Sequence, residues 1–242
     1  MILNKLKVNT LGYLVNKKIL AIIPARGGSK RLPLKNVISL AGKPLIEWTI
    51  RAALETEKIT NTIVTSDDDE ILKISKNLGT SIIKRPKDLA QDDSTTFDTL
   101  KHTIENTIEE YDYILLLQAT SPLRNSNHIK EAIELLESKS ADAIISVCEV
   151  DHSPLWSNTL DKDKNMKNFL KKEVINKRSQ DFEKYYRLNG AIYICKISKF
   201  LEEESFFLKN NTYAYVMKRE NSIDIDEEID LVIAEALIKR GK

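Results

Sequence analysis

Neither of the two best-known phosphate-binding loops is present: no GxGxxG and no GxxxxGK[ST] occurs anywhere in the 242 residues. The first absence argues against a dinucleotide-binding dehydrogenase, the second against a P-loop NTPase. Cysteine is scarce. Cys148 and Cys195 lie far apart, each in a strand-like apolar run and without a CxxC, so they read as reduced core thiols in a cytoplasmic protein. The three histidines, His102, His128 and His152, lack metal-ligand spacing, and no Ser/His/Asp arrangement is legible. No apolar run approaches the roughly 20 residues of a membrane span. The opening "MILNKLKVNTLGYLVNKK" has apolar pieces too short for a secretory leader. Acid is missing where base is abundant: nine Lys or Arg and no carboxylate precede Glu47, although the net charge is only +1. A nucleic-acid binder would be basic overall, with aromatics among its cations. The local excess suits a small polyanion instead.

What is present is a soluble globular composition, 42% hydrophobic and 30% charged. Short apolar runs alternate with helical patterns. "KILAIIPA", "TIVTSD", "SIIKRP", "YDYILLLQAT" and "ADAIISVCEV" read as strands. Between them, helices are expected from Leu45 to Leu54, through "DDEILKISKNLG" with its N-terminal acids, across Leu100, Ile104 and Ile108, and from Ser126. This order predicts a doubly wound, mostly parallel α/β sheet covered by helices on both faces. Ligands of such sheets bind beyond the carboxyl ends of the strands. From about 151 to 185 the pattern fails in a polar, lysine-rich excursion. Regularity returns with "YRLNGAIYICK" and "TYAYVMK", and then with a final helix whose Ile229, Val232, Ile233, Ala236 and Leu237 share a face.

The residues able to carry chemistry fall at strand ends. In "IIPARGGSKRLPLKN", Gly27 and Gly28 let backbone N–H groups approach an anion, Lys30 and Lys35 add point charges, and Arg26 adds a planar fork. In "SIDID", residues 222 to 226, strand alternation would point Asp224 and Asp226 to one face. That pair suits Mg²⁺, which takes one or two carboxylates plus substrate phosphates; Asp226 as a helix cap is the plainer alternative. "LLLQATSPLR" ends a strand in Gln118, Thr120, Ser121 and Arg124, the last expected to bind its own backbone. "RLNGAIYI" sets Arg187 and Asn189 ahead of a strand, where Arg187 suits a carboxylate.

Taken together, "IPARGGSKRLPLKN", "RP" at 85 to 86, "QATSPLR", "RLNGAIYI", "FF" at 206 to 207 and "SIDIDEEIDL" resemble the N-acylneuraminate cytidylyltransferases, the CMP-sialic acid synthetases. The resemblance runs from about 18 to 240, with Ala119 where the family usually has Pro. It implies a nucleotide-diphospho-sugar transferase-like domain over 18–242, with a dimerisation and sugar-site excursion at about 151–210. Residues 1–17 form an N-terminal extension of unknown role. It further implies Mg²⁺-dependent transfer of CMP from CTP to a nonulosonic acid by a cytoplasmic homodimer that needs no nucleic acid or membrane. By the matching positions, Arg26, Gly27, Gly28, Ser29, Lys30, Lys35, Asn36, Arg85, Ser94 and Thr96 would hold CTP. Asp224 and Asp226 would hold the metal. Gln118, Ser121, Arg187 and Asn189 would line the sugar site, and Phe206 and Phe207 would reach into the partner's pocket. Arg26, Lys30, Lys35 and both aspartates would be the catalytic set. The related 3-deoxy-manno-octulosonate cytidylyltransferases have a motif nearer "PARxxSxRLPGKPL", which "RGGSK" and "LKN" disfavour here. A non-catalytic nucleotide-binding module would need no paired metal ligands.

Overall fold

Strand β1 (Ile19–Pro24) is apolar throughout because the sheet is covered on both sides, and Ile19 to Ile23 are at most 1% exposed. Full burial of each large side chain contributes about 1.5–3 kcal/mol. A computed structural model describes residues 17–91 and 94–241, without the side chain of Ser179. The expected N-terminal extension, Lys17 apart, lies outside the described residues. After β1 come a two-stranded ribbon, β2 (Ser39–Leu40) and β3 (Lys43–Pro44), and helix α1 (Leu45–Leu54). Then follow β4 (Asn61–Ser66), α2 (Asp69–Asn77), β5 (Ser81–Lys84), α3 (Thr96–Glu105), β6 (Tyr113–Leu116), α4 (Ser126–Lys139) and β7 (Ala143–Glu149). The chain closes with β8 (Tyr186–Lys196), α5 (Ile197–Glu203), β9 (Thr212–Met217) and α6 (Glu228–Arg240).

The seven-stranded sheet has the order β5-β4-β1-β6-β8-β7-β9. All neighbouring pairs are parallel except those of β8, which runs antiparallel to both β6 and β7. Strand alternation sorts the core into two layers. Ile19, Ala21 and Ile23 join Ile46, Ile50, Ile71 and Ile133 of α1, α2 and α4. Leu20 and Ile22 join Leu100, Phe200 and Phe206 on the opposite face. Pairing slips within β8, which takes five residue steps, Tyr193 to Leu188, where β7 takes two, Ile145 to Val147. The bulge is held from below: Ser146 Oγ accepts from the Ile192 N–H at 2.8 Å and donates to Asn189 Oδ1 at 2.6 Å.

Two expectations change. The third helix ends at Glu105, and Ile108 is wholly exposed beyond it. Helix α6 buries Ala234 and Ile238, while Ile229, Val232 and Ile233, expected to face inward, are exposed. A helix apolar on more than one side fits either orientation, so periodicity alone cannot choose its buried face. The excursion over 151–185 holds only short turns, at Pro154–Trp156 and Ser179–Asp181, pinned by an edge-on Trp156–Phe182 contact of 5.2 Å. No helix among the described residues is long and apolar enough to cross a membrane. Cys148 and Cys195 are buried and unpaired, as expected.

Candidate active site

Four strand ends converge. The loop after β1, Asp67 after β4, Arg85 after β5 and Gln118 after β6 meet at the carboxyl edge of the parallel strands. Antiparallel β8 delivers its first residues to that same edge. Between them lies a cavity of about 420 Å³, lined by Arg26, Lys35, Asn36, Arg85, Ser94, Thr96, Gln118, Ala119, Thr120, Asp224 and Asp226, among others. A larger hollow of about 560 Å³ at the root of the excursion holds neither the paired aspartates nor the loop cations. Size therefore does not decide which cavity carries the chemistry.

The opening loop is shaped by close approach. Gly27 N–H donates to Asp67 Oδ1 at 3.1 Å, and a Cβ on Gly27 would stand 2.7 Å from Asp68 Oδ2, so no side chain fits. Asn36, buried, donates to the Arg26 carbonyl at 2.9 Å and so folds the loop onto itself. Arg26 Nη1 donates to the Gln91 carbonyl at 3.4 Å across the cavity mouth. Arg85 is only 6% exposed. Its Nη1 donates to Thr99 Oγ1 at 3.1 Å, while Nε and Nη2 have no hydrogen-bond partner. Burial lowers its pKa, an effect that Asp67 opposes. Nη2 also stands 3.9 Å from Asp67 Oδ1, an ion pair that holds the guanidinium in the cavity wall.

The acidic segment is not a strand. Residues 222–225 lie outside the sheet and in no helix, tied by Ile225 N–H to the Thr120 carbonyl at 2.8 Å. Alternation still holds, because Ile225 is buried against Leu32, Leu40 and Leu45 while both aspartates line the cavity. Asp226 is not the cap of α6. The N-cap is Glu227, in a capping box completed by Asp230, which accepts from the Asp226 and Glu227 N–H groups at 2.9 and 2.8 Å. The Asp226 carboxylate instead meets Lys35 Nζ at 2.9 Å and Arg31 Nη1 at 3.5 Å. Burial pushes the Asp224 carboxyl up, and the Asp226 charge adds to this; a Thr120 hydrogen bond and Lys35 act against it. Two carboxylates two residues apart thus share one cavity wall. No group of three or more His, Cys, Asp and Glu gathers among the described residues. The donor set thus fits a hard cation that takes its remaining ligands from phosphate and water, as Mg²⁺ does.

Other expected residues lie elsewhere. Gly28, Ser29 and Lys30 do not line the cavity. Ser121 and Asn189 are buried beneath it: Asn189 bonds Ser146, Ser222 and Met217, and Ser121 Oγ donates to the Asn189 carbonyl at 3.4 Å. Their polar groups are spent inside the protein. Arg187 is exposed at the edge, and its Nη2 donates to the Ser222 carbonyl at 3.2 Å, bracing the acidic segment. Phe206 is packed in its own subunit against Phe200 and Tyr193, so only Phe207, 57% exposed, is free to reach another surface. Sequence reasoning missed Tyr193, which lies near enough to Asp224 for that carboxylate to raise its phenol pKa further after burial. It also gave Thr120 no role toward Asp224. A bond between two distant loops leaves no local sequence signal.

A family model described as Cytidylyltransferase matches residues 20–237. The chain is 39% identical over 217 residues to an N-acylneuraminate cytidylyltransferase of Streptococcus agalactiae, covering 89% of this chain but 52% of that protein. It thus spans about half the length of that relative. It is 36% identical over 232 residues to the CMP-N,N'-diacetyllegionaminic acid synthase of Legionella pneumophila, covering 92% of this chain and 97% of that one. Among solved structures, CMP:2-keto-3-deoxy-manno-octonic acid synthetase complexed with CTP superposes with a TM-score of 0.69 at 17% identity, over 93% of this chain and all of that one. At that identity the likeness shows the fold alone.

Proposed function

Since the chain belongs to the cytidylyltransferase family, we propose that it transfers CMP from CTP to the anomeric C2 hydroxyl of a nonulosonic acid. The product is a CMP-activated sugar for surface glycan synthesis. The observation that carries this reading is one cavity lined by Arg26, Lys35 and Arg85 together with Asp224 and Asp226. The hydroxyl oxygen gives up its proton to solvent and attacks the α-phosphorus, the bond from that phosphorus to the bridging oxygen breaks, and pyrophosphate leaves. CTP and the sugar acid together bring about five negative charges, whose repulsion must be offset. Lys35 and Arg26 supply fixed positive charge for the phosphates, and the Arg85 guanidinium in the cavity wall adds to it. Mg²⁺ held by Asp224 and Asp226 would neutralise charge developing on the leaving phosphates. Gln118, with both donor and acceptor on the cavity wall, orients the sugar acid.

We assign the reaction to a cytoplasmic homodimer. Two buried, unpaired cysteines suit a reducing compartment, and Phe207 and the excursion offer exposed apolar surface to a second copy. The relatives' names divide among neuraminate, legionaminate and pseudaminate, so the acid is a nonulosonate of that kind. The deciding experiment measures pyrophosphate release from CTP with N-acetylneuraminate, diacetyllegionaminate, pseudaminate and 3-deoxy-manno-octulosonate, with and without Mg²⁺. Release with a nine-carbon acid supports the proposal. Release with the octulosonate alone, or with none, overturns it.

A further inference from the structure

Among the described residues Arg124 is the largest fully enclosed side chain, and no carboxylate of theirs pairs with it. It is 1% exposed, and among the described residues it makes no ion pair. Its Nε donates to the Ala191 carbonyl at 3.3 Å. Its Nη2 donates to Thr49 Oγ1 at 2.7 Å and to the Gln118 carbonyl at 3.2 Å, while Nη1 has no hydrogen-bond partner. Burial lowers its pKa to about 9, which leaves it a cation at neutral pH. An uncompensated buried charge is costly, and an apolar side chain of similar volume would fill the space more cheaply. A reason for keeping the charge has to be found in what it touches.

Three elements meet at this guanidinium: α1 through Thr49, the end of β6 through Gln118, and the β8 bulge through Ala191. Thr49 Oγ1 also donates to the Gln118 carbonyl, at 3.3 Å, so that carbonyl is gripped twice. Immediately in front, Gly190 sits so close to the Gln118 side chain that a Cβ would stand 2.3 Å from Oε1. The backbone of Gln118 is therefore fixed from behind by Arg124 and Thr49, and its amide is confined from the side by Gly190. We propose that Arg124 is a positioning residue for the reaction, acting through the Gln118 and Ala191 carbonyls to aim the Gln118 amide at the sugar acid. The inference rests on the function proposed above. It separates Arg124 from the loop cations: they meet the nucleotide, whereas Arg124 touches no substrate and sets the geometry of the acceptor side.

The test uses the full chain with three substitutions, Arg124→Met, Arg124→Lys and Thr49→Val. CTP affinity is measured by calorimetry without the sugar acid, and sugar-acid kinetics at saturating CTP. Arg124→Met should lower kcat/KM for the sugar acid by roughly ten- to a hundredfold while CTP affinity stays within about threefold. Arg124→Lys, which keeps the charge but not the fork, should recover part of that loss. Thr49→Val, close to isosteric, should show the same split at about three- to tenfold. Combining Thr49→Val with Arg124→Met should cost less than the product of the two single losses, because both act on one carbonyl. Equal losses for CTP and sugar acid, or an unchanged sugar KM and kcat in Thr49→Val, overturn the role. Should Arg124→Met fail to fold, Thr49→Val decides by the same criterion. A wild-type chain that makes no CMP-sugar sinks the functional reading, whereas an active wild type whose variants show no split sinks only the role of Arg124.

Discussion

Asp224 and Asp226 stand two residues apart and are held by opposite forces. Asp226 faces Lys35 and Arg31, whereas Asp224 is pushed toward its neutral form by burial and by Asp226. Both Asp224→Asn and Asp226→Asn should lower Mg²⁺-dependent turnover by on the order of 10²–10³, the usual cost of one electrostatic stabiliser. Near-normal turnover of either at ordinary Mg²⁺ would sink the metal assignment. Their stabilities should diverge. With its folded-state pKa raised, Asp224 binds a proton more tightly folded than unfolded. Its contribution to stability therefore grows as pH falls from the raised value toward the usual carboxylate range, and is lost as pH rises. At pH 7 Asp224→Asn should melt at or slightly above wild type, with the advantage shrinking by pH 4. Asp226→Asn, deprived of its ion pair, should gain nothing. Calorimetric melting of both variants across that range checks the sign, and a clear loss of Tm in Asp224→Asn would contradict it. At Gly190, φ is +71° and a methyl would meet Gln118 Oε1. Gly190→Ala should fold, because the end of the glutamine side chain can swing away, but it should raise the KM for the sugar acid several-fold. An unchanged KM would detach Gln118 from substrate. Most of these residues were legible in the sequence because loop cations and alternating aspartates announce themselves by type and spacing. The burial of Asn189 and Ser121 was not legible, because polar residues at a strand start look alike whether they face a ligand or support a bulge.

Helix α6 begins where the acidic segment ends, and one side chain serves both. Asp230 accepts from the Glu227 N–H, completing the capping box whose N-cap is Glu227, and from the Asp226 N–H, fixing the backbone of a cavity residue. Asp230→Ala should cost about 1 kcal/mol of stability as a lost cap. It should also weaken Mg²⁺ binding in the presence of a non-hydrolysable CTP analogue, because Asp226 loses its anchor. Melting and metal titration read the two effects separately. A destabilised variant with unaltered Mg²⁺ affinity would leave Asp230 a cap only. At this scale the sequence speaks through burial. β1, β4, β6 and β7 are covered on both faces and show as apolar runs, and α2 and α4 carry strong termini at Asp68 and Asn125. The direction of β8 is not written in its residues, since "GAIYIC" would serve a strand of either sense. It follows from the long excursion before it, which returns the chain to the edge it left. The exposed side of α6 escaped for a related reason: Leu231, Ala234 and Ile238 form a second apolar stripe as good as the first.

The excursion does little for its own subunit. Val174 and Ser153 are its buried residues among those described, while Leu155, Leu160, Met166 and Ile175 are exposed, as are Tyr186 and Leu188 at the start of β8. So much apolar surface on an irregular segment calls for a covering surface, and in a homodimer the same patch meets itself across a two-fold axis. In such a dimer Phe207 would give that contact a bearing on catalysis. Its neighbour Phe206 is anchored against Phe200 and Tyr193, and Tyr193 lies beside Asp224. Phe207 is thus presented outward from a rigid base, fit to close the apolar side of another subunit's sugar site. Two outcomes are expected. Sedimentation should give twice the 27.6 kDa of the chain. Phe207→Ala should lower sugar-acid turnover yet leave CTP affinity alone. Mixing denatured Phe207→Ala and Asp226→Asn chains and refolding them together then tests whether the site is shared. In a mixed dimer, one of the two cavities receives an intact Asp226 from its own chain and an intact Phe207 from the other. Random pairing therefore restores about a quarter of all cavities. If Phe207 acted only within its own subunit, every cavity in the mixture would lack one of the two residues. Mixed dimers verified by differential tags but showing no recovered activity would confine Phe207 to its own chain and break the shared site.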